Sequence, residues 1–124
     1  KSDYVGKMVI ESMWSVSQWA GDFNPFHIHD GQLSGVCYLR VPPSLAEEYA
    51  KEDHYPAVGD ICWFHGQAAT FSGHKHQESP KVGDIFLFPN WLAHGVYPFR
   101  TPNEERRSVS FNAIIDEVSA KFAR

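Results

Sequence analysis

A chain of 124 residues, 43% apolar and 15% aromatic, can bury one core and is too short for two. Its net charge of −4 provides no basic stripe for nucleic acid, no apolar run is long enough to span a bilayer, and the start carries no charged-then-apolar signal segment. The only cysteines, Cys37 and Cys62, sit in apolar stretches and read as buried thiols rather than a disulfide framework, which points to the cytoplasm.

Taken in chain order, the elements are short and closely punctuated. Met13 to Trp19 alternates large and small side chains as a strand does, and Gly21-Asp22-Phe23-Asn24-Pro25 breaks it. Leu33 to Val41 is nearly continuous in apolar character, as expected of a central strand buried on both faces. Pro42-Pro43 stops that run, Ser44 reads as a helix N-cap, and Leu45 to Ala50 reads as a short helix with Glu47 at the capping-box position. The charges Glu47, Glu48, Lys51, Glu52 and Asp53 read as a solvated helix face. Val58-Gly59-Asp60 opens a strand over 61–64, and Val82-Gly83-Asp84 opens another over Ile85 to Phe88. Ser108 to Ile115 is the last strand, and Asp116 to Arg124 reads as a polar helical turn. Many short strands with turn residues between them predict an all-β sandwich or barrel with one or two short helices, in a single domain over 1–124. Because the first residue is Lys1, a further N-terminal portion is left open.

The chemistry-bearing residues begin with His27 and His29. Imidazoles at i and i+2 on a strand share a face, so both can reach one metal ion. A third imidazole from a distant strand would complete a facial triad and leave positions open for oxygen and an oxidisable co-substrate. His94 is the candidate, following Gly83-Asp84 and Phe88-Pro89; Arg106-Arg107-Ser108 comes next. The other pair, His74 and His76, lies in the Gly/Ser/Lys-rich stretch Ser72-Gly73-His74-Lys75-His76 and reads as a mobile loop. His54 and His65 carry no surrounding pattern and read as structural.

The run Gly21-Asp22-Phe23-Asn24-Pro25-Phe26-His27-Ile28-His29, then Leu33-Ser34-Gly35-Val36-Cys37-Tyr38-Leu39, then Gly83-Asp84, Phe88-Pro89 and His94, then Arg106 to Asn112, resembles the 2-oxoglutarate and iron(II) dependent oxygenase superfamily. Within it the chain looks like the small oxygenases of marine phage and bacterial genomes, with a prolyl-hydroxylase-like core. The resemblance spans roughly residues 13 to 113. It implies a double-stranded β-helix, a jelly-roll or cupin-like barrel with the metal at its mouth. It further implies Fe(II) as cofactor, 2-oxoglutarate as co-substrate converted with O2 to succinate and CO2, and hydroxylation of an organic substrate.

Carried over residue by residue, the resemblance makes His27 the first metal ligand and His94 the distal one. Arg106 would grip the far carboxylate of 2-oxoglutarate, with Arg107 as its nearest competitor. Ser108 would bond the same carboxylate, and Tyr38 would contact the co-substrate. Asn112 continues the Arg106, Ser108, Ser110 face. One position departs from the pattern: His29 stands where a carboxylate is expected. Asp30 is adjacent, but strand geometry turns it away and favours His29. Trp14, Phe26, Trp63, Phe64 and Trp91 are candidates for a dry wall around the site, though more often such residues are core.

Two other classes stay open. A cupin-type metalloprotein that does not use 2-oxoglutarate satisfies most of the histidine spacing, yet it lacks the glutamate expected after His29 and leaves Arg106 and Ser108 without a purpose. A non-catalytic jelly-roll binding module is the other. A homodimer is allowed but not demanded.

Overall fold

The computed structural model describes residues 7–51 and 56–115. Its elements are β1 (Met8–Gln18), β2 (Asn24–His27), β3 (Leu33–Arg40), α1 (Leu45–Ala50), β4 (Ile61–Phe64), β5 (Lys75–Glu78), β6 (Ile85–Pro89), β7 (Ala93–Val96) and β8 (Arg106–Ile115). They form two antiparallel four-stranded sheets, ordered β1-β8-β3-β6 and β2-β7-β4-β5. The chain passes back and forth between the two layers, which is the jelly-roll arrangement of the expected all-β barrel. No helix among the described residues is long and apolar enough to cross a membrane.

The core lies between the layers. Val36, Tyr38 and Phe88 from the first sheet meet Ile61, Trp63 and Val96 from the second. Each large side chain removed from water this way stabilises the fold by about 1.5–3 kcal/mol. Alternation does the sorting on β8, where Arg106 and Ser108 are buried and Arg107 is exposed. Cys62 is fully buried and Cys37 half-buried, both as free thiols, as expected.

Several local readings change. Lys75–Glu78 is not a mobile loop: it pairs with β4, Trp63 opposite His76 and Phe64 opposite Lys75. Its polar sequence hid it, because an edge strand can be polar on its exposed side without losing its ladder. β7 was also not anticipated. Asn24 and Pro25 belong to β2 rather than to the break before it. A register irregularity between Asn24 and His27 marks a bulge there, and β2 is an edge strand, the setting in which a proline without an N–H is tolerated.

The helix start also differs from the capping-box pattern. Ser44 makes no side-chain cap bond to α1; its hydroxyl donates instead to the Glu104 carboxylate at 2.5 Å. Glu48 is more than a solvated charge, since its carboxylate accepts from the Arg100 and Thr101 backbone N–H groups and the Thr101 hydroxyl. The helical turn expected over 116–124, and His54, Glu52 and Asp53, lie outside the described residues.

Candidate active site

The site begins at the bulge in β2. Two residues of β7 span what three residues of β2 span, so the bulge resets which way His27 points, and His27 ends directly opposite His94 on β7. After His27 the chain leaves the ladder. His29 is then held by the turn between β6 and β7: its N–H donates to the Asn90 carbonyl at 3.0 Å, and Asn90 Nδ2 donates to the His29 carbonyl at 3.1 Å. Ile28 between them is exposed.

These supports bring three imidazoles together. His27 Nε2 lies 3.1 Å from His29 Nε2, and His29 Nε2 lies 3.1 Å from His94 Nε2. His27, His29 and His94 form one group whose ligand atoms all lie within 4.8 Å of one another. A metal bound to nitrogen at about 2.1 Å, with ligands near right angles, needs nitrogens roughly 3 Å apart. The spacing fits. Asp30 is exposed and outside this group.

The outer nitrogens prepare the inner ones. His27 Nδ1 lies 2.6 Å from the Pro25 carbonyl and His94 Nδ1 3.0 Å from the Leu92 carbonyl, each two residues back along its own strand or turn. A carbonyl only accepts, so each Nδ1 carries the proton and each Nε2 keeps its lone pair when the ring is neutral. Burial, with the neighbouring His27 and His29 adding to it, brings the His94 imidazole down to about 4, against the opposing effect of the Leu92 carbonyl. His29 is also lowered, first by burial and then by His27, against a raising effect of Asp30. Neutral rings with lone pairs facing one another are a donor set suited to a cation.

One cavity joins these imidazoles to Arg106. Its wall includes Trp14, Gln18, Ser34, Tyr38 and Ser108. Arg106 is 1% exposed. Its Nη1 donates to the Gly59 carbonyl and its Nη2 to Gln18 Oε1, while its Nε has no partner. Tyr38 stands beside it, with the guanidinium carbon 6.0 Å from the ring centroid, and burial pushes the phenol up to about 12. Ser108 is buried directly opposite Tyr38. Arg107, the competitor, is tied to Glu105 outside the cavity, at 2.8 Å.

No carboxylate among the described residues forms an ion pair with Arg106. Asp60, a buried acid whose charge is felt at Arg106, is 1% exposed and accepts from Gln77 and Ser79 instead. Burial raises its pKa, and those two hydrogen bonds together with Lys75 and Arg106 work against the rise. A buried guanidinium with unspent N–H groups is costly unless a partner arrives, and a carboxylate is the partner its fork matches.

The predicted residues fall into two groups. His27, His29, His94, Arg106, Ser108 and Tyr38 share the cavity. His74 and His76 do not; His76 pairs with Glu78 at 2.8 Å, and His65 packs against Trp91. Of the five aromatics expected to wall the site, Trp14 alone lines it, 5.7 Å from His29. Trp63 is core, Phe26 and Phe64 pack edge-on, and Trp91 is exposed. Sequence reasoning missed Gln18 and Gly59. Gly59 stood in the Val58-Gly59-Asp60 turn, and that turn signature was the available signal; in the structure its φ is 68°, a conformation that favours glycine.

A family model described as "Putative 2OG-Fe(II) oxygenase" matches residues 12–112. No curated protein matches the chain.

Proposed function

This chain belongs to the 2OG-Fe(II) oxygenase family, and from that premise we propose that it is a dioxygenase that hydroxylates an organic substrate while converting 2-oxoglutarate and O2 to succinate and CO2. His27, His29 and His94 would hold Fe(II) through their Nε2 atoms. Fe(II) bound there supplies the redox chemistry that couples the two oxidations. The observation that carries the reading is Arg106: a buried guanidinium without an ion-pair partner among the described residues, in the same cavity as three converging imidazoles.

The chain's own residues divide the work. Arg106 anchors the far carboxylate of 2-oxoglutarate through its unpartnered edge, and the Ser108 hydroxyl, one step along the same strand face, adds a donor. Tyr38 closes the floor of the cavity and keeps its phenol protonated, so it adds no charge beside the anion. Pro25, Leu92 and Asn90 hold the imidazoles in place before any ligand arrives, which lowers the cost of assembling the site. The three-histidine set brings one negative charge fewer than two histidines and a carboxylate, leaving the bound metal more electropositive toward an anionic co-substrate.

The test is spectroscopic. Protein reconstituted anaerobically with Fe(II) and 2-oxoglutarate should show the weak visible charge-transfer band of the chelate, and Arg106→Ala should abolish it. A wild type with neither band nor affinity for 2-oxoglutarate would hand the site to a cupin-type reaction. His94→Ala should remove metal binding while His74→Ala leaves it intact; equal loss in both would show that the wrong histidines were chosen.

A further inference from the structure

Two adjacent buried polar groups, one of them lining the cavity, lack partners among the described residues. Ser34 is 2% exposed and lines the cavity, and its Oγ makes no hydrogen bond. Asn112 Oδ1 is buried and equally unpartnered. The two residues are directly opposite in the β3–β8 register, so their side chains rise from the same inner face with Cβ atoms roughly 5 Å apart. Buried hydroxyls and amides almost always find a partner in the protein or in ordered water, so two adjacent exceptions beside a cavity mark a place where a displaceable water or a ligand completes the bonding.

Their place in the register says which ligand. On its other side Ser34 pairs with Phe88, whose ring lies 4.6 Å from His94. Asn112 lies six positions along β8 from Arg106, roughly 20 Å of extended strand. A five-carbon diacid has four C–C bonds of about 1.5 Å, spanning at most about 6 Å between its end carbons. Even with the reach of the Arg106 side chain, a co-substrate anchored there ends near the Ser108 and Ser110 rows. The Ser34–Asn112 row lies further along the strands, level with Phe88 beside His94, where a second substrate held next to the metal would come within its reach.

The unpartnered atoms also say what that substrate carries. Asn112 Oδ1 is an acceptor and needs a donor; the Ser34 hydroxyl can accept or donate. Resting on the 2-oxoglutarate reading above, we propose that Ser34 and Asn112 are specificity-determining residues that bind a substrate N–H or O–H group next to the carbon that is hydroxylated. The substrate class is therefore a polar, hydrogen-bond-donating molecule such as an amide or alcohol, rather than a bare hydrocarbon or an ether.

A pair of probes differing only in the donor tests this. The protein is loaded with Zn(II) and 2-oxoglutarate and titrated with N-methylacetamide, which has one N–H, or N,N-dimethylacetamide, which has none; NMR follows the Asn112 side-chain amide and the Ser34 backbone amide. N-methylacetamide should shift these signals with at least about fivefold higher affinity, and Ser34→Ala and Asn112→Leu should each erase the difference. Ser34→Ala should leave the thermal midpoint of the ligand-free protein unchanged or higher, because the hydroxyl it removes bonds to nothing. Equal responses to the two probes, no response to either, or a lowered midpoint in Ser34→Ala overturns the inference while leaving the 2-oxoglutarate reading intact. Failure of the wild type to bind 2-oxoglutarate overturns both.

Discussion

Gln18 and Arg106 face each other across the β1–β8 ladder, and the Gln18 carboxamide oxygen accepts from Arg106 Nη2. The acceptor that orients the guanidinium is thus neutral, so the cation is positioned without being neutralised. A carboxylate at this position would do the opposite. Gln18→Glu is expected to place an internal anion on Arg106 and to weaken 2-oxoglutarate binding by at least ~10-fold, since a charge-assisted hydrogen bond is worth about 1.5–3 kcal/mol and each 1.4 kcal/mol is tenfold. The urea midpoint should not fall. Calorimetric titration against wild type checks the first expectation and equilibrium unfolding the second; unchanged affinity would mean that the anion does not enter through this face of Arg106.

The same geometry separates His29 from Asp30. His29 Nε2 lies 3.1 Å from both neighbouring Nε2 atoms, whereas Asp30 is exposed and outside the cluster. His29→Ala should therefore reduce metal affinity by more than ~100-fold, beyond the loss usual for an outer-shell change, while Asp30→Ala stays within a few-fold. Competition with a chromophoric chelator gives both numbers. A larger loss in Asp30→Ala would make the carboxylate the ligand and restore the usual two-histidine, one-carboxylate set.

What could be read from the residues alone was whatever has a short period or a fixed spacing. β3, β4, β6 and β8 announced themselves by apolar runs beginning at turn residues, and His27, His29 and His94 stood out with Arg106 because their order is distinctive. β5 did not, because Lys75-His76-Gln77-Glu78 has no apolar alternation and owes its conformation to pairing with β4. The partners of Arg106 were equally hidden. Gln18 and Gly59 lie 88 and 47 residues away in the chain, and only the closed barrel brings them to the guanidinium. The bulge that aims His27 is likewise a product of pairing, not of the dipeptide Pro25-Phe26.

Gly35 tests how tightly the sheet that carries Tyr38 is packed. It lies opposite Phe111, and a Cβ added there would come within 2.1 Å of the Phe111 ring. The ring covers the glycine backbone, and a methyl group must displace it. Gly35→Ala is expected to cost about 1–3 kcal/mol, the usual range for overpacking. Adding Phe111→Ala removes the clash along with the ring's own packing, so the double variant should lose less than the two singles combined. Urea unfolding of the four proteins measures that coupling; strict additivity would show that the ring relaxes at no cost.

Asp60 gives a stability prediction whose sign follows from its environment. Burial raises its pKa above the ordinary value of 3.8, against the hydrogen bonds from Ser79 and Gln77. The folded state then holds this proton more tightly than the unfolded chain does. Its contribution to stability is fully present below about pH 4, and is lost as pH rises through the raised folded value. Asp60→Asn has no such proton to lose. It keeps one carbonyl oxygen for Gln77 or Ser79 and gives up the other, an offset that does not vary with pH. The difference in unfolding free energy between Asp60→Asn and wild type should therefore move in favour of the asparagine as pH climbs from about 3.5, then level off above the folded pKa. Guanidinium unfolding of both proteins at intervals from pH 3.5 to 7.5 measures it, and a difference moving the other way would show that Arg106, Lys75 and the two hydrogen bonds outweigh burial.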